Sequence, residues 1–341
     1  MAKSFFSLAR GDQREALEYA RAESGRPAHL LEKDLWVVWA LRTLFDSPLS
    51  ADLTFKGGTS LSKVYKIIDR FSEDIDLTYD IRKLIPDLIG DSGDLPASRS
   101  QASKWTQAVR SRLPEWIEQH VQPVIQEALD RDQLDARIEL GGPEKDKLLL
   151  HYYPALAQST GYVAPVVTLE FGGRATGEPH QVFSVDCDIA TYLPEVSFPT
   201  AAPVVMSIAR TFWEKATAAH VFCAQGRIRS ERYARHWHDL AAIARSPHFA
   251  AVTADRAVAD TVARHKSCFF IEKGRDGQII DYAAATSGHL KIVPEGEAKV
   301  ALAKDYAAML ADEVMVGDAL AFDELLSACA ELEAKVNQAA I

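Results

Sequence analysis

Two aspartates two positions apart, Asp74 and Asp76, are the residues of this sequence best suited to bind a metal ion. They lie in the segment RFSEDIDLTYD, in which apolar and polar residues alternate as in a β-strand. Successive side chains of a strand point to opposite faces, so both carboxylates share one face, and Ile75 and Leu77 share the other. Neighbouring carboxylates repel each other unless a cation lies between them. We therefore expect a Mg²⁺ site, with Mn²⁺ as an alternative, because these ions bind carboxylate and phosphate oxygens.

A glycine-rich turn precedes the two aspartates. The segment FKGGTSLSK places Gly57 and Gly58 directly before Thr59 and Ser60, at the start of a predicted helix. Glycine allows the backbone to approach a ligand closely, and the free N–H groups of a helix N-terminus attract phosphate. An ordinary strand-to-helix turn, with Thr59 or Ser60 as the N-cap, is the alternative. The acidic pair close behind favours phosphate binding.

Two more charged residues stand within apolar patterns, where a charge is costly unless it is paired. Glu170 ends the β-branched run VAPVVTLEF, and we expect either a third carboxylate of the metal site or a strand-end residue that reaches solvent. Lys215 lies in a helix between Phe212 and Ala219, in the middle of the apolar stripe. Its ammonium either extends past its neighbours to solvent or meets a buried anion, which a triphosphate or the acidic pair would supply.

The next predicted helix, around RHWHDL, carries Arg232, His236 and Asp239 at helical spacing on one face. A surface ladder of ion pairs is the alternative for these residues. A zinc site with His238 is not expected, because no Cys or Glu has a matching spacing. The densest run of arginines is in the same region, and Arg229, Arg232 and Arg235 are candidate contacts for RNA phosphates, with a solvated helix face as the alternative.

The elements that position these residues follow from the spacing of apolar residues. A short strand at 52–55 leads into the glycine turn, and the helix after it has an apolar face that extends to Ile68. Further strands are expected at 136–140, 147–153, 163–171 and 180–187, with 191–205 as a connection. Helices are expected at 13–22, 30–45, 104–130, 207–225, 230–245, 252–264, 300–311 and 322–337. The segments 85–103 and 269–290 are expected to be loops, and Pro114 and Pro123 are expected to bend the helix that contains them.

The composition of the whole chain limits the class of protein. Its 341 residues are 48% hydrophobic and 25% charged, which is typical of a globular α+β protein with a mixed front portion and a helical back portion. The net charge is 38 − 48 = −10, so any nucleic acid must bind to a local basic patch. The absence of a leader and of a long apolar run, together with four scattered cysteines, predicts a cytoplasmic protein without a membrane span.

Four segments resemble, in chain order, the AbiEii-type nucleotidyltransferase toxins of the DNA polymerase β-like nucleotidyltransferase superfamily: GGTSLSK, RFSEDIDL, WEKATA and RHWHDL. LLEKDLWV and KDYAAML also look like family segments, so the resemblance spans most of the chain. It implies a nucleotidyltransferase-fold mixed sheet flanked by helices in residues 1–205. A helical domain, residues 206–341, would complete the active site. The implied activity is Mg²⁺-dependent transfer of NMP from an NTP to an acceptor, which would be a tRNA 3′ end. The implied role is that of a toxin in a toxin–antitoxin or phage-defence module, with a cognate antitoxin as its partner.

The same resemblance implies roles for individual residues. Asp74 and Asp76 would hold Mg²⁺, and Lys215 and Asp239 would be the family's essential lysine and aspartate. The implied nucleotide-binding residues are Gly57, Gly58, Thr59, Ser60, Lys63 and Ser72. Lys215 would neutralise charge on the triphosphate, while Asp239 would position Lys215 or an arginine, or accept a hydrogen bond from the nucleotide. The family often has an acidic residue and a tyrosine where this chain has His236 and His238, so no role is transferred to these two residues.

Two alternatives belong to other functional classes. Glycosyltransferases also use a DxD pair, but they need a parallel nucleotide-binding sheet upstream, and only a short strand precedes Gly57. A non-catalytic regulator that binds a nucleotide and a partner protein has no need for the intact Asp74/Asp76 pair or for Lys215. Transfer of label from NTPs to RNA, compared with an Asp76→Ala variant, distinguishes these classes.

Overall fold

The structure, a computed structural model, describes residues 2–72, 74–90, 93–156, 164–228, 233–311, 315 and 319–340. The chain divides into two compact units. The first unit comprises Met1–Val64, Phe71–Leu88 and Gln107–Val205, and the second comprises Tyr65–Arg70, Ile89–Thr106 and Met206–Ile341. The second unit therefore takes two short segments from the N-terminal part of the chain.

A mixed sheet of seven strands organises the first unit. The strands of the described residues are β1 (Lys3–Ser4), β2 (Leu53–Lys56), β3 (Asp74–Tyr79), β4 (Ala136–Gly141), β5 (Lys147–Tyr152), β6 (Val166–Gly172), β7 (His180–Val182), β8 (Val185–Asp186), β9 (Val196–Ser197), β10 (Thr200–Ala201) and β11 (Val204–Met206). The large sheet has the order β4-β5-β6-β3-β2-β11-β7. Strand β3 is antiparallel to β2 and parallel to β6, which confirms the predicted α+β class with a mixed sheet.

Helices flank this sheet in the first half of the chain. They are α1 (Arg10–Ser24), α2 (Ala28–Phe45), α3 (Gly57–Lys63), α4 (Ile81–Leu84), α5 (Pro86–Ile89), α6 (Arg99–Trp116) and α7 (Gln122–Asp132). A π-helical turn, Ile117–Val121, joins α6 to α7, so the predicted helix at 104–130 is longer than expected and is interrupted there. Pro123 lies in the first turn of α7, directly after the π-helical turn, and Pro114 lies inside α6.

Four predictions for the chain up to residue 205 are wrong in detail. Helix α3 ends at Lys63, although the apolar spacing continues to Ile68. Lys66 has a φ of +52°, which a right-handed helix does not allow. The expected loop at 85–103 contains α5 and the beginning of α6. The expected strand at 180–187 is divided into β7 and β8, and the connection at 191–205 contains three short strands.

The second half of the chain is mainly helical, as predicted. It contains α8 (Ile208–Gln225), α9 (Arg235–Arg245), α10 (Phe249–Ala254), α11 (Arg256–Phe269), α12 (Tyr282–Thr286), α13 (Gly296–Ala311) and α14 (Phe322–Ala339). The predicted helix at 252–264 is two helices, α10 and α11, and the expected loop at 269–290 contains α12. In the part of the chain that the structure describes, every helix is too short or too polar to cross a lipid bilayer.

Candidate active site

The two aspartates lie at the beginning of β3, on the face of the sheet that the alternation predicted. Ile75 and Leu77 are fully buried, whereas Asp74 and Asp76 are half-buried. The buried face continues onto β6, where Leu169 is the in-register neighbour of Ile75. Apolar packing on one face therefore fixes the direction of both carboxylates on the other.

Asp76 belongs to a row of charged residues that crosses four strands. Lys56 of β2 is in register with Asp76, Asp76 with Glu170 of β6, and Glu170 with Lys147 of β5. In-register side chains point to the same face, and adjacent strands lie about 5 Å apart. The four residues thus form a row on one face with the order positive, negative, negative, positive.

Glu170 pairs with the lysine at the outer end of this row. Lys147 Nζ donates a hydrogen bond to Glu170 Oε2 at 2.7 Å. Burial lowers the pKa of Lys147, but this hydrogen bond and the charges of Glu170 and Asp74 outweigh it and raise the pKa. Among the described residues, no three His, Cys, Asp or Glu side chains are grouped so that they could hold a metal ion. The role of Glu170 as a third metal ligand stays a prediction.

Gly57 brings the glycine turn against the acidic pair. Its φ is +80°, and a Cβ atom at this position would lie 1.9 Å from Asp76 Oδ2. The carboxylate of Asp76 takes the space that a Cβ atom would need, so only glycine lets the backbone at the start of α3 lie against this carboxylate. Two carboxylates beside an accessible backbone fit a hard divalent cation such as Mg²⁺, which typically takes one or two carboxylates and completes its shell with phosphate oxygens and water.

Thr59 and Ser60 are buried, and their hydroxyl groups make hydrogen bonds within the fold. Thr59 Oγ1 donates to the carbonyl oxygens of Ser72 and Asp74, and Ser60 Oγ donates to the carbonyl of Gly57 at 2.8 Å. Neither residue caps the helix, since the N-cap position of α3 is Lys56. Thr59 therefore ties α3 to the beginning of β3, and a phosphate contact of Thr59 or Ser60 would involve their backbone N–H groups.

Lys63, assigned to nucleotide binding by resemblance, is paired with two carboxylates. Its Nζ lies 2.6 Å from Asp34 Oδ1 and 2.7 Å from Asp188 Oδ1, and its side chain is almost fully buried. Burial lowers the pKa of Lys63, but the two carboxylates raise it to about 12. Asp34 belongs to the segment LLEKDLWV, for which the sequence suggested no role. The structure thus places Lys63 as a link between α3, α2 and the segment after β8.

The second unit contains a buried cluster around Asp239, at the middle of α9. Arg70 Nε and Nη2 donate to the two carboxylate oxygens at 2.9 and 2.7 Å, and Lys215 Nζ lies 2.9 Å from Oδ2. His238 Nδ1 lies 3.2 Å from Oδ1. Burial would raise the pKa of Asp239, but the charges of Arg70 and Lys215 hold it well below its usual range. The cluster is therefore an ionised carboxylate between two cations.

Arg70 is the member of this cluster that the sequence analysis did not identify. It precedes Asp74 by four residues in RFSEDIDL, and it is separated from Asp239 by 169 residues. The structure shows contacts of Asp239 with both Lys215 and an arginine, while its role in the reaction stays a prediction. Lys215 is buried within the apolar stripe of α8, as the helical spacing predicted, and the anion that it meets there is Asp239.

The structure describes only some of the residues that were considered for zinc and RNA binding. Arg229 and Arg232 lie outside the described residues, and Arg235 is the first residue of α9. Burial, with the nearby charges of Lys215 and Arg235, lowers the pKa of His236 well below its usual range, so its imidazole is neutral. Its Nδ1 has no hydrogen-bond partner among the residues that the structure describes.

A basic groove lies where α8 ends. It has a volume of about 510 Å³ and is lined by Gln225, Arg227, Glu272, Lys273, Gly274 and Arg275. Arg275 is held in place by a hydrogen bond from its Nε to the carbonyl of Gln225 at 2.9 Å. Among the described residues, the three cations of this basic groove have no ion-pair partner. The groove therefore offers positive charge to an anionic ligand.

Comparison with known proteins identifies the family. The family described as nucleotidyl transferase AbiEii toxin, type IV TA system, matches residues 39–328, which are 290 of the 341 residues. No curated protein matches the chain. Among solved structures, the chain is similar to the nucleotidyltransferase toxin MenT4 from Mycobacterium tuberculosis H37Rv, with 16% identity, a TM-score of 0.44 and 98% of each chain covered. It is also similar to JHP933 from Helicobacter pylori, with 13% identity, a TM-score of 0.42, and 92% of this chain and 94% of that chain covered.

The family assignment depends on the sequence match, which covers most of the chain and includes both the Asp74/Asp76 pair and the Asp239 cluster. It agrees with the mixed α+β fold and with the resemblance of four separate segments. The chain belongs to the AbiEii family of type IV toxin–antitoxin systems, and it is a nucleotidyltransferase toxin.

Proposed function

We propose that this nucleotidyltransferase transfers NMP from an NTP to an acceptor hydroxyl group, with a divalent metal ion, Mg²⁺ or Mn²⁺, held by Asp74 and Asp76. The observation that supports this proposal best is the position of the two carboxylates on one face of β3, with Asp76 against the backbone of Gly57. Membership of the family implies an NTP substrate and an antitoxin partner. The antiparallel pairing of β2 with β3 argues against the glycosyltransferase alternative, which needs a parallel sheet at this point.

The residues of the chain contribute to this reaction in distinct ways. A divalent metal at Asp74 and Asp76 would neutralise charge on the triphosphate and lower the pKa of the acceptor hydroxyl. Gly57 adds no Cβ atom beside the carboxylate of Asp76, so a phosphate bound near this carboxylate would meet the backbone there. Thr59 holds the beginning of β3 in place through its hydrogen bonds to the carbonyls of Ser72 and Asp74.

Lys215 and Asp239 are proposed as residues on which the transfer also depends. Lys215 is a buried cation, and its position is fixed by the 2.9 Å contact with Asp239 Oδ2. Arg70 holds the same carboxylate from the other side through two hydrogen bonds. Asp239 is therefore a positioning residue for Lys215, and removal of either residue should abolish activity through loss of one ordered cation.

The proposed acceptor is RNA, specifically the 3′ end of a tRNA, and the proposed role is that of a toxin in a toxin–antitoxin or phage-defence module. The resemblance of the sequence suggests this acceptor, and the basic groove supports a polyanionic one. The groove presents Arg227, Lys273 and Arg275 on a protein whose net charge is −10, which is the local positive patch that such a protein needs to bind RNA.

A labelling experiment tests the proposal. The protein is incubated with each α-³²P-labelled NTP, Mg²⁺ and total tRNA, and the same assay is made with Asp76→Asn, Lys215→Met and the control Asp186→Asn, which removes an exposed aspartate of β8. We expect label at the RNA 3′ end, a decrease of at least about 100-fold for Asp76→Asn and Lys215→Met, and wild-type activity for the control.

Three results would contradict the proposal. Failure of every NTP to label RNA or protein would exclude nucleotide transfer. Undiminished labelling by Asp76→Asn would exclude the metal role of the aspartates. Periodate oxidation of the tRNA before the assay destroys the 3′ hydroxyl groups, so label that persists after this treatment would exclude the tRNA 3′ end as the acceptor.

A further inference from the structure

Lys147 is a charged residue close to the candidate metal site, and the proposed function leaves it without a role. Its Nζ lies 2.7 Å from Glu170 Oε2, and the charge of Asp74 also raises its pKa. Glu170 is the in-register neighbour of Asp76, one strand away, at a spacing of about 5 Å. The carboxylate of Glu170 is therefore within side-chain reach of an ion held by Asp76. In this structure the ammonium of Lys147 binds that carboxylate.

We propose that Lys147 competes with the divalent metal ion for Glu170, and that it sets the metal affinity of the site. In the metal-free protein its ammonium neutralises Glu170. When the metal binds at Asp74 and Asp76, Glu170 exchanges Lys147 for the metal. Lys147 is thus a positioning residue for Glu170, and this inference rests on the metal site of the proposed function.

The exposure of the pair makes this exchange inexpensive. The side chains of Lys147 and Glu170 are 33% and 41% exposed, and ion pairs with this much access to solvent are weak. A divalent cation attracts a carboxylate twice as strongly as an ammonium does at the same distance. The metal can therefore displace Lys147, while the lysine still reduces the repulsion among Asp74, Asp76 and Glu170 before the metal arrives.

The charges of the row also explain why the lysine should weaken metal binding. Asp74, Asp76 and Glu170 carry three negative charges. Lys56 is in register with Asp76 and Lys147 with Glu170, so two positive charges lie beside them. Loss of Lys147 changes the formal sum from −1 to −2 and leaves Glu170 without its partner. Both changes favour a divalent cation.

Binding of Mn²⁺ alone to the full-length protein tests the proposal without any measurement of activity. Free Mn²⁺ is followed by its electron paramagnetic resonance signal for wild type, Lys147→Met, Lys147→Arg and Lys145→Met. Lys145 is an exposed lysine two residues away, so its substitution makes the same change in net charge outside the row. We expect Lys147→Met to bind Mn²⁺ about fivefold more tightly, which is the size expected for a partly exposed ion pair. Lys147→Arg and Lys145→Met should change the affinity by less than about twofold.

A second background identifies the carboxylate involved. In Glu170→Gln, the Lys147→Met substitution should no longer tighten Mn²⁺ binding by about fivefold, because the carboxylate that the lysine occupies is gone. Unchanged or weaker binding by Lys147→Met, or equal tightening in the Glu170→Gln background, would overturn the proposed competition while leaving the metal site intact. Wild-type affinity in Asp76→Asn, or the absence of saturable Mn²⁺ binding to the wild type, would overturn the metal site of the proposed function as well. Circular dichroism spectra of all variants verify that they are folded.

Discussion

Substitution of Asp239 by Asn is the perturbation for which the structure makes the most specific prediction. Asparagine keeps the size of the side chain and removes its charge. The guanidinium of Arg70 and the ammonium of Lys215 then remain in place, with side chains only 5% and 10% exposed, without the carboxylate between them. Removal of one partner from a buried ion pair costs about 3–5 kcal/mol, because the remaining charge is left without compensation. We expect Asp239→Asn to lower the free energy of unfolding by this amount.

A double-mutant cycle separates the ion pair from other effects of the substitution. Arg70→Met removes one cation, and the double variant Arg70→Met/Asp239→Asn removes the pair. Because the two residues share two hydrogen bonds, we expect the double variant to be more stable than the sum of the single effects predicts, by about 2 kcal/mol. Glu331→Gln is the matched control, since it removes an exposed pair with Lys335 whose side chains are 75% and 63% exposed, and it should cost less than about 0.5 kcal/mol.

The effect of Asp239→Asn should also depend on pH. The pKa of Asp239 in the folded protein lies well below 3.8, its usual value, so its ionisation stabilises the fold fully above pH 3.8. This contribution is lost as the pH falls towards the folded-state pKa. The difference in unfolding free energy between wild type and Asp239→Asn should therefore be constant from about pH 8 to 5 and should decrease below about pH 4.

Urea unfolding followed by both circular dichroism and tryptophan fluorescence measures these free energies, and agreement of the two signals verifies that one transition is observed. A loss below about 1 kcal/mol for Asp239→Asn would refute the reasoning, because an exposed pair would produce the same value. A coupling energy of zero between Arg70 and Asp239 would show that the two side chains do not depend on each other. A difference that stays constant down to pH 2 would contradict the depressed pKa.

Three further predictions concern the first unit and the basic groove. Gly57→Ala should abolish Mn²⁺ binding and lower the free energy of unfolding by about 1–3 kcal/mol, since the new Cβ atom would collide with Asp76 at a φ of +80°. The control Gly11→Ala, in an open position of α1, should be neutral or stabilising. Equal effects of the two substitutions in Mn²⁺ titrations and unfolding assays would contradict this prediction. Lys63→Met should lower the free energy of unfolding by about 3–5 kcal/mol, because it leaves two carboxylates without this buried cation. This difference from wild type should decrease only as the pH rises from 10.5 towards 12, through the raised pKa of Lys63. A difference in urea unfolding that stays constant over this pH range would contradict the raised pKa. Lys273→Glu and Arg275→Glu should weaken tRNA binding and leave NTP affinity unchanged. Each should reduce the slope of log affinity against log salt concentration by about one unit, which filter binding at several salt concentrations measures. An unchanged slope would exclude the basic groove as an RNA-binding surface.

The elements with strong and regular apolar spacing could be predicted from the sequence. Helices α2 and α8 and strand β3 have the expected positions, because their apolar residues recur at the period of the element, although α2 is buried on almost every side. Helix α3 could not be delimited in this way. Tyr65 and Ile68 continue the helical spacing, but Ile68 is buried and Tyr65 half-buried outside the helix. Tyr65 Oη, for example, donates a hydrogen bond to the carbonyl of Met206 at 2.9 Å. Tertiary packing produced the pattern that local spacing attributed to a helix.

The candidate residues were predictable by type, but their partners were not. The alternation of β3 placed Asp74 and Asp76 on one face, and the helical spacing of α8 placed Lys215 within an apolar stripe, where the structure shows it buried. The partners of Lys63, Arg70 and Lys147 are separated from them in sequence by as many as 169 residues. A single charged residue carries no local signal of the carboxylate that it will meet, so only the register of the sheet and the packing of the helices could reveal these pairs.

The second unit contains two segments, 65–70 and 89–106, that precede the rest of it by a hundred residues or more, and this limits how the gene can be divided. A fragment made of residues 206–341 alone would lack Arg70, which compensates Asp239, and Trp105, whose ring lies 6.4 Å from that of Phe269. Such a truncation leaves a buried carboxylate short of a cation and an aromatic surface open to water. We expect that the helical half cannot be expressed as an independent fragment. By the same argument, recombination cannot exchange it between relatives as a continuous block.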